Sequence, residues 1–264
     1  MNRKEGVKCV SPIEHIDDNT VLTKLLTFGP SIYLDKRDAL QNLIIQHGFW
    51  EKAVTDVFLS LVKPGMTVLD IGANCGYYSL LAAMYVGPHG KVHAFEPSPL
   101  HHDNLMKSIA KNGFNQIELH KVALTNIDGE TTLYISRLGG ASIYNPGLPG
   151  TIEAKVKTVV FTEYFPKQKV DIIKIDIDGS EPLIMDGLFQ LIDGNDNIQI
   201  IMEYCPFIWR GSGYQPLPIL QRFAERGFNF HIIRHDGTLV PATIEQLATY
   251  SEPAHLDLKI GRSM

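Results

Sequence analysis

Carboxylate side chains recur in this sequence in or beside the ends of apolar runs. These acids are Asp70, Glu96, Asp176, Glu181 and Glu203. A positioned carboxylate can remove the proton of a hydroxyl group, accept hydrogen bonds from a ribose diol, or bind a divalent cation. The sequence therefore holds groups for base catalysis, nucleoside binding and metal binding. Which of these is used depends on the elements that bring the acids together.

A glycine turn follows the first of these acids in the stretch TVLDIGANCGYYSLL, which starts at Thr67. An apolar β-prone run stops at Gly72, and a helical pattern of apolar residues begins after Gly76. A strand, a turn and a helix in this order present backbone N–H groups and a helix N-terminus to an anion. A dinucleotide site would need G-x-G-x-x-G, but Asn74 stands at the position of its second glycine. The turn therefore predicts a ligand smaller than a pyrophosphate.

Two of the acids flank this turn. Asp70 lies inside the apolar strand, where an unpaired carboxylate is costly to bury, so we expect it to accept hydrogen bonds from turn N–H groups or a ligand ammonium. Glu96 follows Gly76 by 20 residues at the end of the next predicted strand. An acid at this position can accept the hydrogens of a ribose diol, and it repels a 2′-phosphate. The pair predicts a nucleoside ligand without that phosphate, which disfavours NADP.

Strand and helix patterns alternate from Thr67 onward. The strands are predicted at 67–71, 91–97, 117–124, 153–165, 170–177, 198–206, 228–234 and 255–261. The helices are predicted after Gly76, at 99–112, after Glu181 and near 218–226. This alternation is typical of an α/β fold, a doubly wound and mostly parallel sheet with helices on both faces. Ligands of such sheets lie beyond the carboxyl ends of the strands, so the acids are predicted to gather at one edge.

The segments around these elements carry weaker signals. Asp128-Gly129 stands between β-prone runs and predicts a hairpin, and 139–150 has the composition of a loop. His101 and His102 open the second helix and are predicted to face solvent or to cap that helix. The first 60 residues contain a short strand at 31–34 and a helix that ends at Leu61. We interpret them as a cap on a single domain.

Composition excludes several classes of protein. The chain has 264 residues, 44% of them hydrophobic, and a formal charge of −5. Without a block of Lys and Arg, a dedicated nucleic-acid surface is not expected. The three cysteines (Cys9, Cys75 and Cys205) are far apart and predict neither a disulfide framework nor a zinc site. The N-terminus lacks the apolar stretch of a signal peptide, and no apolar run spans a membrane. A reduced cytoplasmic enzyme without a membrane partner is predicted.

Four motifs resemble the FkbM-type S-adenosylmethionine-dependent methyltransferases and keep that family's order. They are VLDIGANCGYYSLLAA, VHAFEPSP, a strand ending in VAL before DGE, and VDIIKIDIDGSEP. HGFWE ahead of the first motif and VKTVVFTEYF ahead of the last also resemble the family. The resemblance covers about Trp50 to Pro206. The family usually has glutamate where this chain has Asp178.

The resemblance implies a class I, Rossmann-like methyltransferase with a seven-stranded sheet, an N-terminal cap at 1–60, a cofactor-binding domain at 61–264 and a β-hairpin insertion. It implies S-adenosylmethionine as cofactor, because that molecule has no phosphate and Asn74 can then replace the glycine. Glu96 is expected to bind the ribose of the cofactor. Its adenine is expected to contact Val122, Ala123 and Leu124. The implied cofactor-binding set is Glu51, Asp70, Gly72, Asn74, Gly76, Tyr77, Glu96, Pro97, Ser98, Val122, Ala123, Leu124 and Asp176.

The methyl acceptor implied by the resemblance is a hydroxyl group on a small molecule, a sugar or glycan, or a natural product. A hydroxyl is a poor nucleophile until its proton is removed or a metal polarises it. Asp176, Glu203 and Glu181 are therefore the candidate catalytic residues. In catechol-type relatives, acids at comparable strand ends hold Mg²⁺, which would make Asp176 and Glu203 metal ligands. We favour a general base, because the sequence offers no histidine or clustered Asn/Asp ligand set beyond those acids.

Two other functions stay open at this point. One is a nucleic-acid or protein methyltransferase. The chain has DIDGSEP where adenine-type enzymes need an Asn/Asp-Pro-Pro-aromatic motif, and the acidic balance also disfavours nucleic acid as a partner. The other is a cofactor-binding regulator that has lost catalysis. Assembly into a homo-oligomer is left open as well.

Overall fold

The computed structural model of the chain describes residues 11–138, 140–145, 147–165 and 168–262. Cys9 lies outside the described residues, and so do Gly139 and Pro146 of the predicted loop. Cys75 and Cys205 are buried thiols. None of the described helices is long and apolar enough to cross a membrane.

The N-terminal segment forms a small antiparallel sheet and two helices. They are β1 (Glu14–His15), β2 (Thr20–Lys24), β3 (Ser31–Asp35), α1 (Ala39–His47) and α2 (Lys52–Leu61). The α1 helix starts at Asp38, whose carboxylate accepts the N–H of Gln41 at 2.9 Å, as an N-cap does. Buried side chains of this segment, such as Ile32 and Phe58, share one apolar cluster with Leu80 of the following domain. The segment is packed onto that domain and is called the cap below.

Twelve further strands and seven further helices follow among the described residues. The strands are β4 (Thr67–Ile71), β5 (Lys91–Phe95), β6 (Ile117–His120), β7 (Ala123–Thr125), β8 (Gly129–Ile135), β9 (Ala141–Ser142), β10 (Ile152–Val160), β11 (Ile172–Ile175), β12 (Gln199–Tyr204), β13 (Phe228–Ile233), β14 (Leu239–Ala242) and β15 (Leu256–Arg262). The helices are α3 (Tyr77–Val86), α4 (Pro99–Asn112), α5 (Phe161–Tyr164), α6 (Met185–Asp193), α7 (Pro206–Gly211), α8 (Pro216–Ala224) and α9 (Ile244–Thr249). A 3₁₀ turn, Glu181–Ile184, precedes α6.

The central sheet has the order β14-β13-β15-β12-β11-β4-β5-β6. Strands β6, β5, β4, β11 and β12 are parallel to one another, whereas β15 is antiparallel to β12 and to β13. Buried apolar residues cover both faces, with α2 and α3 in one cluster and α6 and α8 in the other. The predicted fold class is confirmed. The sheet has eight strands where seven were predicted, because β14 adds an antiparallel edge next to β13.

Three local predictions were wrong. The strand predicted at 153–165 ends at Val160, and 161–164 form the helix α5. The run 117–124 is not one strand, since β6 belongs to the central sheet and β7 to a second sheet of order β7-β10-β8-β9. Asp128-Gly129 does not join a hairpin, because β7 pairs in parallel with β10 and β8 pairs antiparallel with β10. The antiparallel β8–β10 pair is the predicted insertion, and residues 136–151 connect its strands. The apolar run around Val122 contains no glycine or proline that would have signalled the switch between sheets.

Candidate active site

The glycine turn between β4 and α3 lies against the end of the central strand. Gly72 has φ of 90°, and a Cβ built there would lie 1.8 Å from the carbonyl oxygen of Asp176, so only glycine fits. The N–H groups of Gly72 and Ala73 both donate to the carbonyl of Phe95 at 3.0 Å. Asn74 N–H donates to Glu96 Oε2 at 2.6 Å. The turn N–H groups are thus bonded within the chain, and the N–H groups of the first turn of α3 remain for an anion.

A first cavity of about 600 Å³, partly open to solvent, lies beyond the ends of β4, β5 and β11. Its lining combines apolar side chains with three acids: Ile71, Gly72, Asn74, Phe95, Glu96, Pro97, His101, Val122, Ala123, Leu124, Thr125, Leu133, Ala141, Ile143, Asp176, Ile177, Asp178 and Ser180. Ser180 Oγ is buried here without a hydrogen-bond partner among the described residues. The predicted adenine and ribose residues therefore line the same cavity.

Glu96 forms the polar wall of this first cavity and is buried. Its Oε1 accepts the N–H of Ser98 at 2.7 Å, and His101 Nδ1 lies 3.5 Å from the same oxygen. Burial is the largest single effect and lowers the pKa of His101, but the nearby Glu96 carboxylate together with the charges of Asp38 and Asp35 outweighs it, so the net pKa is above the usual value. The prediction that His101 faces solvent was wrong, because only 6% of it is exposed. His102 Nε2 donates to the carbonyl oxygen of Glu96 at 2.8 Å.

A second cavity of about 940 Å³, also partly open, adjoins the first. The two cavities share Gly72, Asn74, Asp176 and Asp178. The remaining lining comes from the cap, the glycine turn, α3, the loop of the insertion, β12 and the residue before β15: Ala39, Leu40, Leu43, Trp50, Glu51, Ala73, Cys75, Tyr77, Tyr78, Leu138, Gly140, Glu203 and His255. The cap therefore supplies one wall of this cavity, and the edge of the sheet where the parallel strands end supplies its polar side.

A buried cation balances the acids at the junction of the two cavities. Lys174 in β11 is fully buried, and its Nζ lies 2.8 Å from Asp176 Oδ2 and 5.1 Å from the centre of the Tyr78 ring. Burial alone would lower the pKa of Lys174, but the charges of Asp176 and Glu51 raise it above its usual value. Burial raises the pKa of Glu51 to about 7, and Tyr78 donates to its Oε2 at 3.1 Å.

Glu203 at the end of β12 faces His255, which the sequence analysis missed. His255 Nδ1 lies 3.1 Å from Glu203 Oε1 and the imidazole is 44% exposed. Burial, followed by the charge of Asp176, raises the pKa of Glu203 well above its usual value. Because β15 is antiparallel to β12, with Asp257 opposite Glu203, its first residues lie at the edge where the parallel strands end. HLDLKIG was predicted as a strand, but placing His255 near Glu203 also requires knowing that this last strand is antiparallel to β12.

The described residues do not gather a metal set at Asp176 and Glu203. The three-ligand group at this edge is Glu51, His255 and Asp257, whose candidate ligand atoms lie within 4.8 Å of one another. The ammonium of Lys174 stabilises the ionised forms of Glu51 and Asp257. The positive charge of that ammonium opposes the binding of a second cation there.

Asp178 is hydrogen-bonded to the loop of the insertion next to the two cavities. Its φ is 49°, its Oδ2 accepts the N–H of Ala141 at 2.8 Å, and its carbonyl accepts the hydroxyl of Ser142 at 3.0 Å. Burial raises the pKa of Asp178 to about 6. A Cβ built at Gly140 would lie 2.9 Å from both carboxylate oxygens, so the loop backbone lies directly against them. Asp178 thereby joins the strand end to the insertion.

Four predicted site residues do not line either cavity: Asp70, Gly76, Ser98 and Glu181. Asp70 is buried beneath the turn and accepts the hydroxyl of Ser79 at 2.5 Å, and burial raises its pKa to about 6. Glu181 is fully buried, accepts Trp209 Nε1–H at 2.8 Å, and has its pKa raised to about 7 by burial. Both acids lie below the surface at which a ligand would bind.

The chain is similar in sequence to known methyltransferases. A family model described as "Methyltransferase FkbM domain" matches residues 70–230. Methyltransferase sdnD of Sordaria araneosa is 23% identical over 196 residues, which are 61% of this chain and 73% of that protein. Among solved structures, a SAM-dependent O-methyltransferase from Thermotoga maritima has a TM-score of 0.47 at 12% identity, with 97% of this chain and 87% of the other covered. A ribosomal protein L11 methylase from Lactobacillus delbrueckii subsp. bulgaricus has a TM-score of 0.43 at 17% identity, with coverages of 80% and 78%.

Proposed function

The chain belongs to the FkbM methyltransferase family, and we propose that it transfers a methyl group from S-adenosylmethionine to a hydroxyl oxygen of a small molecule, sugar or natural product. The observation that carries this proposal is the pair of joined cavities. One has the lining of a nucleoside site, and the other presents a buried carboxylate of raised pKa to a second ligand. A methyl group held at their shared residues would face an acceptor held in the second cavity.

The first cavity fits the adenosyl part of the cofactor. Each oxygen of Glu96 accepts one backbone N–H, and a carboxylate oxygen has a second lone pair for a ribose hydroxyl. Val122 and Leu124 provide apolar surface for a base. The unpartnered Ser180 hydroxyl can satisfy a polar atom of the ligand. When bound, the cofactor supplies an electrophilic methyl group on a sulfonium ion.

Glu203 is the base that we assign to the acceptor. A general base works best when its pKa is near the working pH, and burial moves Glu203 in that direction. The acceptor proton passes to the Glu203 carboxylate, and the contact with His255 Nδ1 orients that carboxylate toward the cavity. Asp176, paired with Lys174, lies at the junction and holds the ligands in register. Because Glu203 can accept the proton only when it is ionised, the turnover rate should rise as the pH rises through the pKa of Glu203.

The character of the second cavity supports a small, uncharged acceptor. Its polar lining is dominated by acids, namely Glu51, Asp176, Asp178 and Glu203. Such a lining repels a polyphosphate backbone, whereas sugars and polyketides carry neutral hydroxyls that carboxylates bind. Trp50 and Leu40 of the cap add apolar surface for the rest of the acceptor.

The test is methyl transfer from methyl-labelled S-adenosylmethionine to a panel of sugars, polyketides, hydroxylated peptides and RNA. We expect the label to appear in a small molecule as a methyl ether. The labelled product should resist mild alkali, because a methyl ether survives conditions that hydrolyse a methyl ester. Label confined to RNA or to carboxyl groups would overturn the proposal.

Matched variants assign the base. Glu203→Gln should slow turnover by about 10²–10⁴-fold while the affinity for S-adenosylhomocysteine stays unchanged. Glu153→Gln, on the exposed face of β10, is the control and should turn over like the wild type. An active, stable Glu203→Gln variant would remove this residue from the mechanism.

A further inference from the structure

A second group of possible ligating side chains lies on β5 and the edge strand β6, next to Phe95. His93 is opposite Glu118 in the parallel register, and His120 is two residues further along β6. Since strand residues two apart point to the same face, all three side chains lie together. We refer to His93, Glu118 and His120 as the edge triad.

The ligand atoms of the edge triad have the spacing of a metal site. His93 Nδ1 lies 3.1 Å from His120 Nε2 and 3.4 Å from Glu118 Oε2, and His120 Nε2 lies 3.8 Å from Glu118 Oε1. Ligands about 2.0–2.1 Å from a tetrahedral zinc ion are roughly 3.3–3.4 Å from one another. Candidate ligand atoms of the three side chains all lie within 4.8 Å of one another, so one ion could contact all three.

Both imidazoles are prepared to act as neutral ligands. Burial, with the neighbouring imidazole second, lowers the pKa of His93 to about 4, and burial lowers the pKa of His120. His120 Nδ1 lies 3.3 Å from the hydroxyl of Tyr164, a contact that leaves the lone pair on Nε2 when Nδ1 carries the proton. His93 Nε2 is buried with no partner among the described residues. Since His93 Nδ1 faces the other two residues, Nε2 would carry the proton of a neutral, metal-bound His93.

One side of the edge triad is open to solvent. The Glu118 side chain is 66% exposed, and His93 and Glu118 line a surface cavity with Lys91 and Gln116. A metal on the edge triad would thus have protein ligands on one face and solvent at its fourth position. Two nitrogens and one carboxylate oxygen suit Zn²⁺ better than Ca²⁺ or Mg²⁺, which prefer oxygen ligands.

We propose that the edge triad binds one divalent transition metal, Zn²⁺ by its ligand chemistry, and that the metal holds β6 against β5. A metal bound at the edge triad would also affect the first cavity, because His120 contacts two residues that line that cavity. The His120 carbonyl accepts the Glu96 N–H at 3.0 Å, and the His120 ring stacks on Phe95 with the ring centres 4.4 Å apart. This inference does not depend on the methyl acceptor.

The experiment is calorimetric titration of the full chain with Zn²⁺ after treatment with EDTA and dialysis. We expect one equivalent bound, a raised melting temperature, and intense visible absorption when Co²⁺ replaces Zn²⁺, as tetrahedral coordination gives. Glu118→Ala should weaken Zn²⁺ binding at least tenfold. Because the Glu118 side chain is exposed, the melting temperature of this variant in EDTA should match that of the wild type.

Two controls identify the site. Glu130→Ala, an exposed glutamate on β8, should bind Zn²⁺ like the wild type. His255→Gln removes a ligand from the other three-residue group and should also bind normally. Absence of Zn²⁺ binding in the wild type would reduce the edge triad to a hydrogen-bonded histidine pair. Loss of binding in His255→Gln with retention in Glu118→Ala would place the metal elsewhere, and either result overturns the proposal.

Discussion

Replacing Glu181 with glutamine should change how stability depends on pH. The Glu181 carboxylate is fully buried, and burial raises its pKa from the usual 4.5 to about 7. The folded chain therefore binds this proton more tightly than the unfolded chain, so the stabilisation is complete below pH 4.5 and is lost as pH rises through 7. A pKa raised from 4.5 to about 7 corresponds to about 3 kcal/mol lost by pH 8. Glutamine does not ionise and should not show this loss.

Urea unfolding at several pH values between 4.5 and 8 measures the effect. The free energy of unfolding of Glu181→Gln, relative to the wild type, should rise by about 3 kcal/mol across that range. The other buried acids titrate in both proteins and cancel in the difference. Glu153→Gln, an exposed site, should show no such change. A difference between Glu181→Gln and the wild type that is the same at pH 5 and pH 8 would refute the reasoning.

Three further substitutions test the packing around the site. Gly72→Ala should unfold the turn or abolish S-adenosylhomocysteine binding, because its Cβ meets a backbone oxygen at 1.8 Å, whereas Gly113→Ala, with φ of 65° and open space, should lose only the cost of its backbone conformation. Lys174→Met should lower the free energy of unfolding by about 3–5 kcal/mol, since it leaves buried carboxylates without their cation, and chemical unfolding above pH 7 should show the largest loss. Trp209→Phe removes the donor to Glu181 and so raises the pKa of Glu181 further, and the fall in stability, which starts near pH 4.5 in both proteins, should continue to a higher pH than in the wild type. An unchanged pH profile in this variant would show that the indole bond does not hold the carboxylate.

The order and type of the main elements could be predicted because each carries a local signal. The α4 helix begins at Pro99 after an N-cap serine and ends before Gly113, both of which are visible in the sequence. The apolar run 170–177 identified β11, and the strand-end rule then brought Asp176 and Glu203 to one edge. These signals depend on neighbouring residues alone.

The misses share a different cause, which is dependence on contacts between distant residues. Whether 117–124 stays in one sheet depends on β10, which lies more than 25 residues further along the chain. The place of His255 depends on the antiparallel direction of β15. Glu181 lies two residues after the turn at Gly179, and only the packing of Trp209 shows that it is turned inward. Local patterns do not carry such information.

The assignment of the first cavity to the cofactor and the second to the acceptor is tested most directly by the dissociation constant of S-adenosylhomocysteine in three proteins. Calorimetry on the wild type, Glu96→Gln and Glu203→Gln, each checked for an unchanged urea midpoint, gives the comparison. A charge-assisted hydrogen bond contributes about 1.5–3 kcal/mol, so Glu96→Gln should weaken binding about tenfold or more. Glu203→Gln should bind like the wild type, because Glu203 lines only the second cavity. Unchanged affinity in Glu96→Gln, or weakened affinity in Glu203→Gln alone, would contradict the assignment.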